Sequence, residues 1–166
     1  MLLERVTVRR AVPADLESIR EIYNQGIEDR CATLETDAYD AAKMLDWWHQ
    51  HDDRYAVFVA ADERGVVGWA SLNRFSQRCA HAAIADLSVY VARDRRGRGI
   101  GKALLAAIDG SARAEFRKMV LHALNENLAG KRLYASCGFD EVGVFKSHGE
   151  LDGRLVDVVA MEKLWT

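Results

Sequence analysis

The sequence predicts an α/β fold, a mixed and mostly antiparallel sheet flanked by helices on both faces. Three observations predict it. Apolar runs of strand length alternate with stretches whose apolar residues recur every three or four positions. The breaks between them are glycine and charge, with Pro13 the one proline in 166 residues. The resulting order is β-α-α-β-β-β-α-β-α-β-β, with hairpin turns at 62–65 and near Asp152-Gly153.

Val6 and Val8 alternate with polar neighbours, as in a short strand. Pro13 stands where a helix accepts proline, at its first position, and Leu16, Ile19, Ile22, Tyr23 and Ile27 follow at helical spacing. A second helix is predicted over 37–50, with Ala41, Leu45 and Trp48 on one face. Residues 55–61 read as a strand, Asp62-Glu63-Arg64-Gly65 as a turn and 66–72 as the return strand. A loop of mixed polarity, 73–81, leads into a strand over 83–92. The charged, glycine-rich stretch 93–99 opens a helix to about residue 113, in which Ile100, Leu104, Ile108 and Ala112 stand four apart. Residues 119–124 form a strand, and 127–137 a helix stopped by Gly138, a natural left-handed terminator. A hairpin of 141–148 and 155–164 follows. With no repeat, low-complexity tract or linker, a single domain over 1–166 is expected.

Composition narrows the function. Lys and Arg number 23 against 25 Asp and Glu, a net charge of −2, which does not suit a nucleic-acid or membrane-surface binder. The longest apolar run, 55–61, is far too short to span a bilayer. The opening MLLERVTVRR lacks the apolar stretch of a signal peptide, so a cytoplasmic protein is expected. Cys31, Cys79 and Cys137 are odd in number and form no CxxC pair, which fits reduced thiols and no metal site.

The most informative segment runs from Val89-Tyr90-Val91 through Arg96-Gly97-Arg98-Gly99-Ile100-Gly101-Lys102. A strand enters a glycine turn that opens a helix, where free N–H groups and the positive dipole end attract a phosphate. Arg95, Arg96, Arg98 and Lys102 add positive charge. The spacing excludes a P-loop, since positions 96 and 103 are Arg and Ala, and excludes GxGxxG, since Gly97, Gly99 and Gly101 are spaced by two. A solvated arginine-rich turn is the alternative reading of the loop alone. Arg96-x-x-Gly99-x-Gly101 resembles the pyrophosphate loop of the GNAT acetyltransferases. Asn127 opening a helix that ends in Tyr134-x-x-x-Gly138-Phe139 resembles their last motif.

Within that family the chain resembles the phosphinothricin, methionine sulfoximine and arsinothricin N-acetyltransferases. The residues that carry this are Tyr23-Asn24-x-x-Ile27, Ala32-Thr33-Leu34-Glu35-Thr36, Ser88-Val89-Tyr90-Val91 and the glycine pattern from Gly143 through Gly149 and Gly153 to Asp157. The resemblance implies the GNAT acyl-CoA N-acyltransferase fold and acetyl-CoA as cosubstrate. It would be held by Val89, Tyr90 and Val91, by Arg96, Gly97, Arg98, Gly99, Ile100, Gly101 and Lys102, and by Asn127 and Ser136. It also implies a small-molecule amine as acceptor, and a homodimer for which Trp47, Trp48 and Trp165 offer apolar surface, with core packing an equal explanation of the three tryptophans.

Amide formation from a thioester requires an uncharged amine, a steadied oxyanion and a proton for the leaving thiolate. Alternation puts Ile84, Asp86, Ser88 and Tyr90 on one face of their strand, and a carboxylate within so apolar a strand stands out. Asp86 lies where the phosphinothricin-type enzymes carry a glutamate base, so the resemblance makes Asp86 the base, with its shorter side chain favouring a bridging water over direct transfer; a structural hydrogen-bond partner or an edge charge is the alternative. Tyr134 is implied as the thiolate's proton donor, with a helix anchor as the alternative. Phe75, Ser76, Gln77 and Arg78, with Asp86, Leu87 and Ser88, are implied in substrate binding. Arg78 would clamp an anionic group, as guanidinium does bidentately. His81 and His148 are expected to be ordinary histidines. The resulting function is acetylation of the α-amine of an amino acid or amino-acid-like antibiotic by direct transfer in a ternary complex. Acetylation of a protein N-terminus or polyamine, and a non-catalytic acyl-CoA sensor, are the other readings.

Overall fold

A computed structural model describes residues 5–165; positions 1–4 and 166, the ends of the expected domain, lie outside the described residues. Seven strands form one sheet in the order β1-β2-β3-β4-β5-β7-β6. They are β1 Thr7–Arg10, β2 Val57–Asp62, β3 Gly65–Arg74, β4 Ile84–Val91, β5 Lys118–Leu124, β6 Asp140–Leu151 and β7 Arg154–Leu164. Every neighbouring pair is antiparallel except β4 with β5. The helices are α1 Leu16–Glu28, α2 Ala41–Trp48, α3 Ile100–Glu115 and α4 Leu128–Ser136. The predicted element order holds throughout.

The two faces of the sheet are covered by different helices. On α3, Ile100, Leu104, Ile108 and Ala112 are buried, and they belong to one cluster with Ala70, Leu72, Ala85 and Leu87 of β3 and β4. Ile19 and Ile22 of α1 and Met44 of α2 join Val57, Val59 and Trp69 in a second cluster. The alternation read in β4 is therefore real: Leu87, Val89 and Val91 belong with α3, while Tyr90 packs with the α1 and α2 cluster.

Several predicted boundaries move, each for a local reason. The 37–50 helix shortens to Ala41–Trp48 because Asp40 caps it, its carboxylate accepting the Lys43 N–H at 2.8 Å. Just before it, Tyr39 is held out of the helix by Asn24, which accepts its N–H at 2.8 Å and donates to its carbonyl at 3.0 Å. The buried side of α2 is Met44, with Trp47 and Trp48 partly buried; Leu45, expected inside, is exposed. Pro13 opens a 3-10 turn over Pro13–Asp15 rather than α1 itself, because Asp15 folds back to accept the Val12 N–H at 2.8 Å and the Arg9 guanidinium. The last hairpin is longer than predicted, and its turn is the I′ type: Asp152 and Gly153 have φ of 50° and 78°.

Candidate active site

The sheet opens where its one parallel pair fails. β4 and β5 pair only as Ile84↔Lys118, Ala85↔Met119 and Asp86↔Val120. Beyond Asp86 the β4 edge has no strand beside it on that side among the described residues. A cavity of about 570 Å³ occupies the opening, and its wall takes in every residue from Asp86 to Val91. Successive strand side chains point to opposite faces, so an unbroken run in one wall means that the backbone edge itself faces the cavity. Its free N–H and C=O groups are a template for an extended polar ligand.

The glycine turn sits at the far end of the same cavity. Gly97 and Gly99 adopt φ of 76° and 82°, and Gly99 caps α3 without any side-chain hydrogen bond. The first intrahelical bond runs from the Ala103 N–H to the Gly99 carbonyl at 3.1 Å, so the N–H groups of Ile100, Gly101 and Lys102 point out of the helix. A Cβ at Gly99 would meet no atom within 4 Å; its positive φ, not space, requires glycine. At Gly101 the constraint is space, since a Cβ would lie 2.9 Å from Leu133 Cδ2 and the Leu133 side chain would have to shift. The turn is tied to the end of α1, where Asp29 accepts bonds from both Arg93 and Arg96 at 2.7 Å. Those bonds, Arg93's first, hold the Asp29 carboxyl below the usual carboxylate range.

A second cavity, about 710 Å³, opens on the α1 and α2 side, and Ser88 lines both. Aromatic rings form much of its wall: Tyr23 lies 4.9 Å from Tyr39, and Trp47 lies 5.2 Å from Trp69, edge to face in both cases. The Trp69 Nε1–H is buried without a hydrogen-bond partner among the described residues. Arg74 and Gln77 line the same cavity. Asn73 joins the two cavities: its Nδ2 donates to Asp86 Oδ2 at 3.1 Å and to Ser88 Oγ at 3.0 Å. Its Oδ1 accepts from Ser71 Oγ at 2.9 Å, and His51 Nε2 lies 2.9 Å from that same oxygen.

The fold as a whole is shared by a large set of solved structures. The sequence profile of the Acetyltransferase (GNAT) family matches residues 16–139. The chain belongs to the GNAT acetyltransferase family. An L-methionine sulfoximine/L-methionine sulfone acetyltransferase of Pseudomonas paraeruginosa is 31% identical over 159 residues, 94% of this chain and 92% of that protein. A phosphinothricin acetyltransferase from Sinorhizobium meliloti, solved in complex with AcCoA, is 35% identical with a TM-score of 0.90, covering 96% of this chain and 88% of that one. A ribosomal-protein-alanine N-acetyltransferase from Brucella melitensis is 33% identical with a TM-score of 0.90, covering 96% and 99%.

In this acetyltransferase, Asp86 and Tyr134 line the same cavity as Val89, Tyr90, Val91, Arg96, Gly97, Gly99, Ile100, Gly101, Lys102 and Asn127. Burial pushes the Asp86 carboxyl up to about 6, with the Asn73 hydrogen bond pulling the other way. Burial likewise raises the Tyr134 phenol to about 12. Asn127 caps α4, accepting the Gly130 N–H at 3.0 Å. Two residues expected at the cofactor stand outside the cavity wall: exposed Arg98, and Ser136, whose hydroxyl donates to the Leu133 carbonyl at 2.7 Å. Of the expected substrate loop only Gln77 lines a cavity. Phe75 packs its ring 5.0 Å from His81, Ser76 Oγ lies 2.7 Å from His81 Nδ1, and exposed Arg78 lines neither cavity. Exposed His148 stacks on Phe145 at 4.6 Å.

The sequence reading missed His51, Asn73, Arg74 and Trp69 in the second cavity and His122 in the first. Asn73 lies directly across from Asp86 in the β3–β4 register. Only the ladder reveals that pairing, since a long loop rather than a tight turn joins the two strands.

Proposed function

We propose that this enzyme transfers acetyl from acetyl-CoA to the α-amine of a small amino acid or amino-acid-like compound, directly, within a ternary complex. The observation that carries the reading is the Asp86–Asn73–Ser88 group between two cavities: one suits an extended thioester arm with phosphates, the other a small amine. The bare N–H groups of Ile100 to Lys102 suit a pyrophosphate, and the β4 edge suits the pantetheine amides. The AcCoA held by the Sinorhizobium relative supports the same cosubstrate.

Asp86 takes one proton from the ammonium group, the freed nitrogen attacks the thioester carbonyl carbon, and the carbon–sulfur bond breaks. Tyr134 gives its proton to the departing thiolate, the nitrogen's second proton passes to the resulting tyrosinate through water, and Asp86 releases its own proton to solvent. A base near 6 is ionised at neutral pH yet basic enough to matter, and a desolvated phenol stays protonated until the thiolate needs it. A β4 backbone N–H steadies the developing oxyanion. Arg74 and the unpartnered Trp69 N–H are suited to a substrate carboxylate, and the aromatic wall to its side chain. Exposed Val142, Phe145 and Leu155 on β6 and β7 offer a homodimer apolar surface, whereas Trp47 packs on Trp69 and Trp165 donates to Asp109.

Acetylation of a protein N-terminus is the second reading, supported by the likeness to the Brucella enzyme. A polyamine is disfavoured: the acidic residue in the second cavity's wall is Asp52, whose Oδ1 already accepts the Arg54 and Tyr55 N–H groups. A thiol-release assay with acetyl-CoA across amino acids, phosphinothricin, methionine sulfoximine, arsinothricin, polyamines and alanyl peptides tests all three. Turnover of peptides or polyamines alone would overturn the amino-acid reading.

A further inference from the structure

Asn73 shares one side-chain amide among Asp86, Ser88, Ser71 and His51, and counting its protons constrains the charges at both ends. A carbonyl only accepts, so the 2.7 Å contact of His51 Nδ1 with the Trp47 carbonyl requires a proton on Nδ1. With the Asn73 oxygen turned to Ser71 and His51, the Nε2 contact is a hydrogen bond only when Nε2 carries a proton too, which makes the ring cationic. The amide NH₂ is then free to donate both hydrogens, to Ser88 and to an ionised Asp86.

A neutral ring reverses this. Nε2 could then only accept, so the amide would turn over, giving its NH₂ to His51 and Ser71 and its oxygen to Ser88 and Asp86. A carboxyl bonds an amide oxygen only when it carries a proton. One proton shared by the pair thus satisfies either orientation. A neutral ring beside an ionised carboxylate satisfies neither, because two acceptors face each other whichever way the amide points.

We infer that His51 is a positioning residue: through the Asn73 amide, the protonated imidazole holds Asp86 in the ionised form. The consequence for catalysis rests on the proposed role of Asp86 as base. Burial and the Asn73 bond are what shift the Asp86 carboxyl, and that bond is the one His51 controls. Other titratable or charged groups lining the Asp86 cavity are Cys31, Tyr90, Arg95, Arg96, Lys102, His122 and Tyr134. Those lining the His51 cavity are Tyr23, Tyr39, His49, Asp52, Tyr55 and Arg74, with the Trp47 ring 4.3 Å from His51. Asp52 is occupied by backbone N–H groups, and the Arg74 guanidinium lies over Tyr55 at 5.2 Å.

The test follows the Asp86 carboxyl by ¹³C NMR across pH, assigned with Asp86→Asn, in wild type, His51→Phe and His51→Gln. Phenylalanine removes the donor that orients the amide, and the Asp86 midpoint should rise by about one pH unit, a tenfold gain in proton affinity. Glutamine places a neutral N–H donor where Nε2 stood and should return the midpoint toward wild type. Imidazole ¹⁵N shifts in wild type should show both ring nitrogens protonated while Asp86 is ionised. The acid limb of the kcat profile should move with the carboxyl, more than KM for the amine moves. Equal midpoints in all three proteins, or equal shifts in the Phe and Gln variants, overturn the inference. If Asp86→Ala keeps its activity while the carboxyl still follows His51, the base reading falls and the charge coupling stands.

Discussion

Asp86→Asn should make the protein more stable at neutral pH while nearly abolishing turnover. Burial lifts the folded carboxyl from 3.8 to about 6, so the folded state binds its proton more tightly than the unfolded chain does. The sign follows from linkage: where the native state holds more protons, stability falls as pH rises. The loss begins near the unfolded value, at about pH 4, and is complete above about pH 6, leaving an ionised group in a site that disfavours charge. A shift of roughly two pH units corresponds to about 3 kcal/mol, which is the ceiling on what an uncharged isostere could recover. For a chain of this length that is roughly 6–12 °C in Tm. Thermal melts of both proteins at pH 4.5 and 7.5 measure it, and the gap in favour of Asn should be about threefold wider at the higher pH. The same variant should lose about 10²–10⁴ in kcat, the worth of a positioned base, with acetyl-CoA affinity nearly unchanged. If the gap does not widen with pH, Asp86 is not held in a charge-disfavouring site, and the argument for its poise as a base fails with it.

Tyr134→Phe should lower kcat, and the loss should shrink with acyl donors whose leaving thiol is more acidic; a donor-independent loss would mark Tyr134 as structural. Gly99→Val should weaken acetyl-CoA binding by calorimetry in a still-folded protein, because a β-branched residue resists the φ of 82° that turns the α3 N–H groups outward. Wild-type affinity would exclude the turn as the phosphate site. Arg74→Ala should raise KM for acidic substrates by about 10–100-fold, the worth of a charge-assisted contact, with Arg78→Ala changing it little. The reverse ranking would return the anion clamp to the exposed loop.

The sequence by itself determined the order of the elements, the α3 face that is buried and the glycine turn that opens it. These are local: a helical period repeats within one segment, and a glycine at φ of 82° is needed whatever surrounds it. It also singled out Asp86, because a carboxylate in an apolar strand is visible without neighbours. Tertiary structure decided what Asp86 faces. Asn73 meets it only through the β3–β4 register, and His51 only because the end of α2 comes down beside β3; no sequence spacing encodes either distance. Leu45 and Met44 show the same limit, since both fit a helical period and only packing on Val57 and Val59 chose Met44. Arg78 and Arg74 are alike in charge, yet the strand runs on through Arg74 and carries it to the cavity wall, while Arg78 is left in the exposed turn. Periodicity and backbone chirality act within a few residues and can be read from the chain. Cavities and shared protons arise between segments far apart in sequence, and packing alone brings them together.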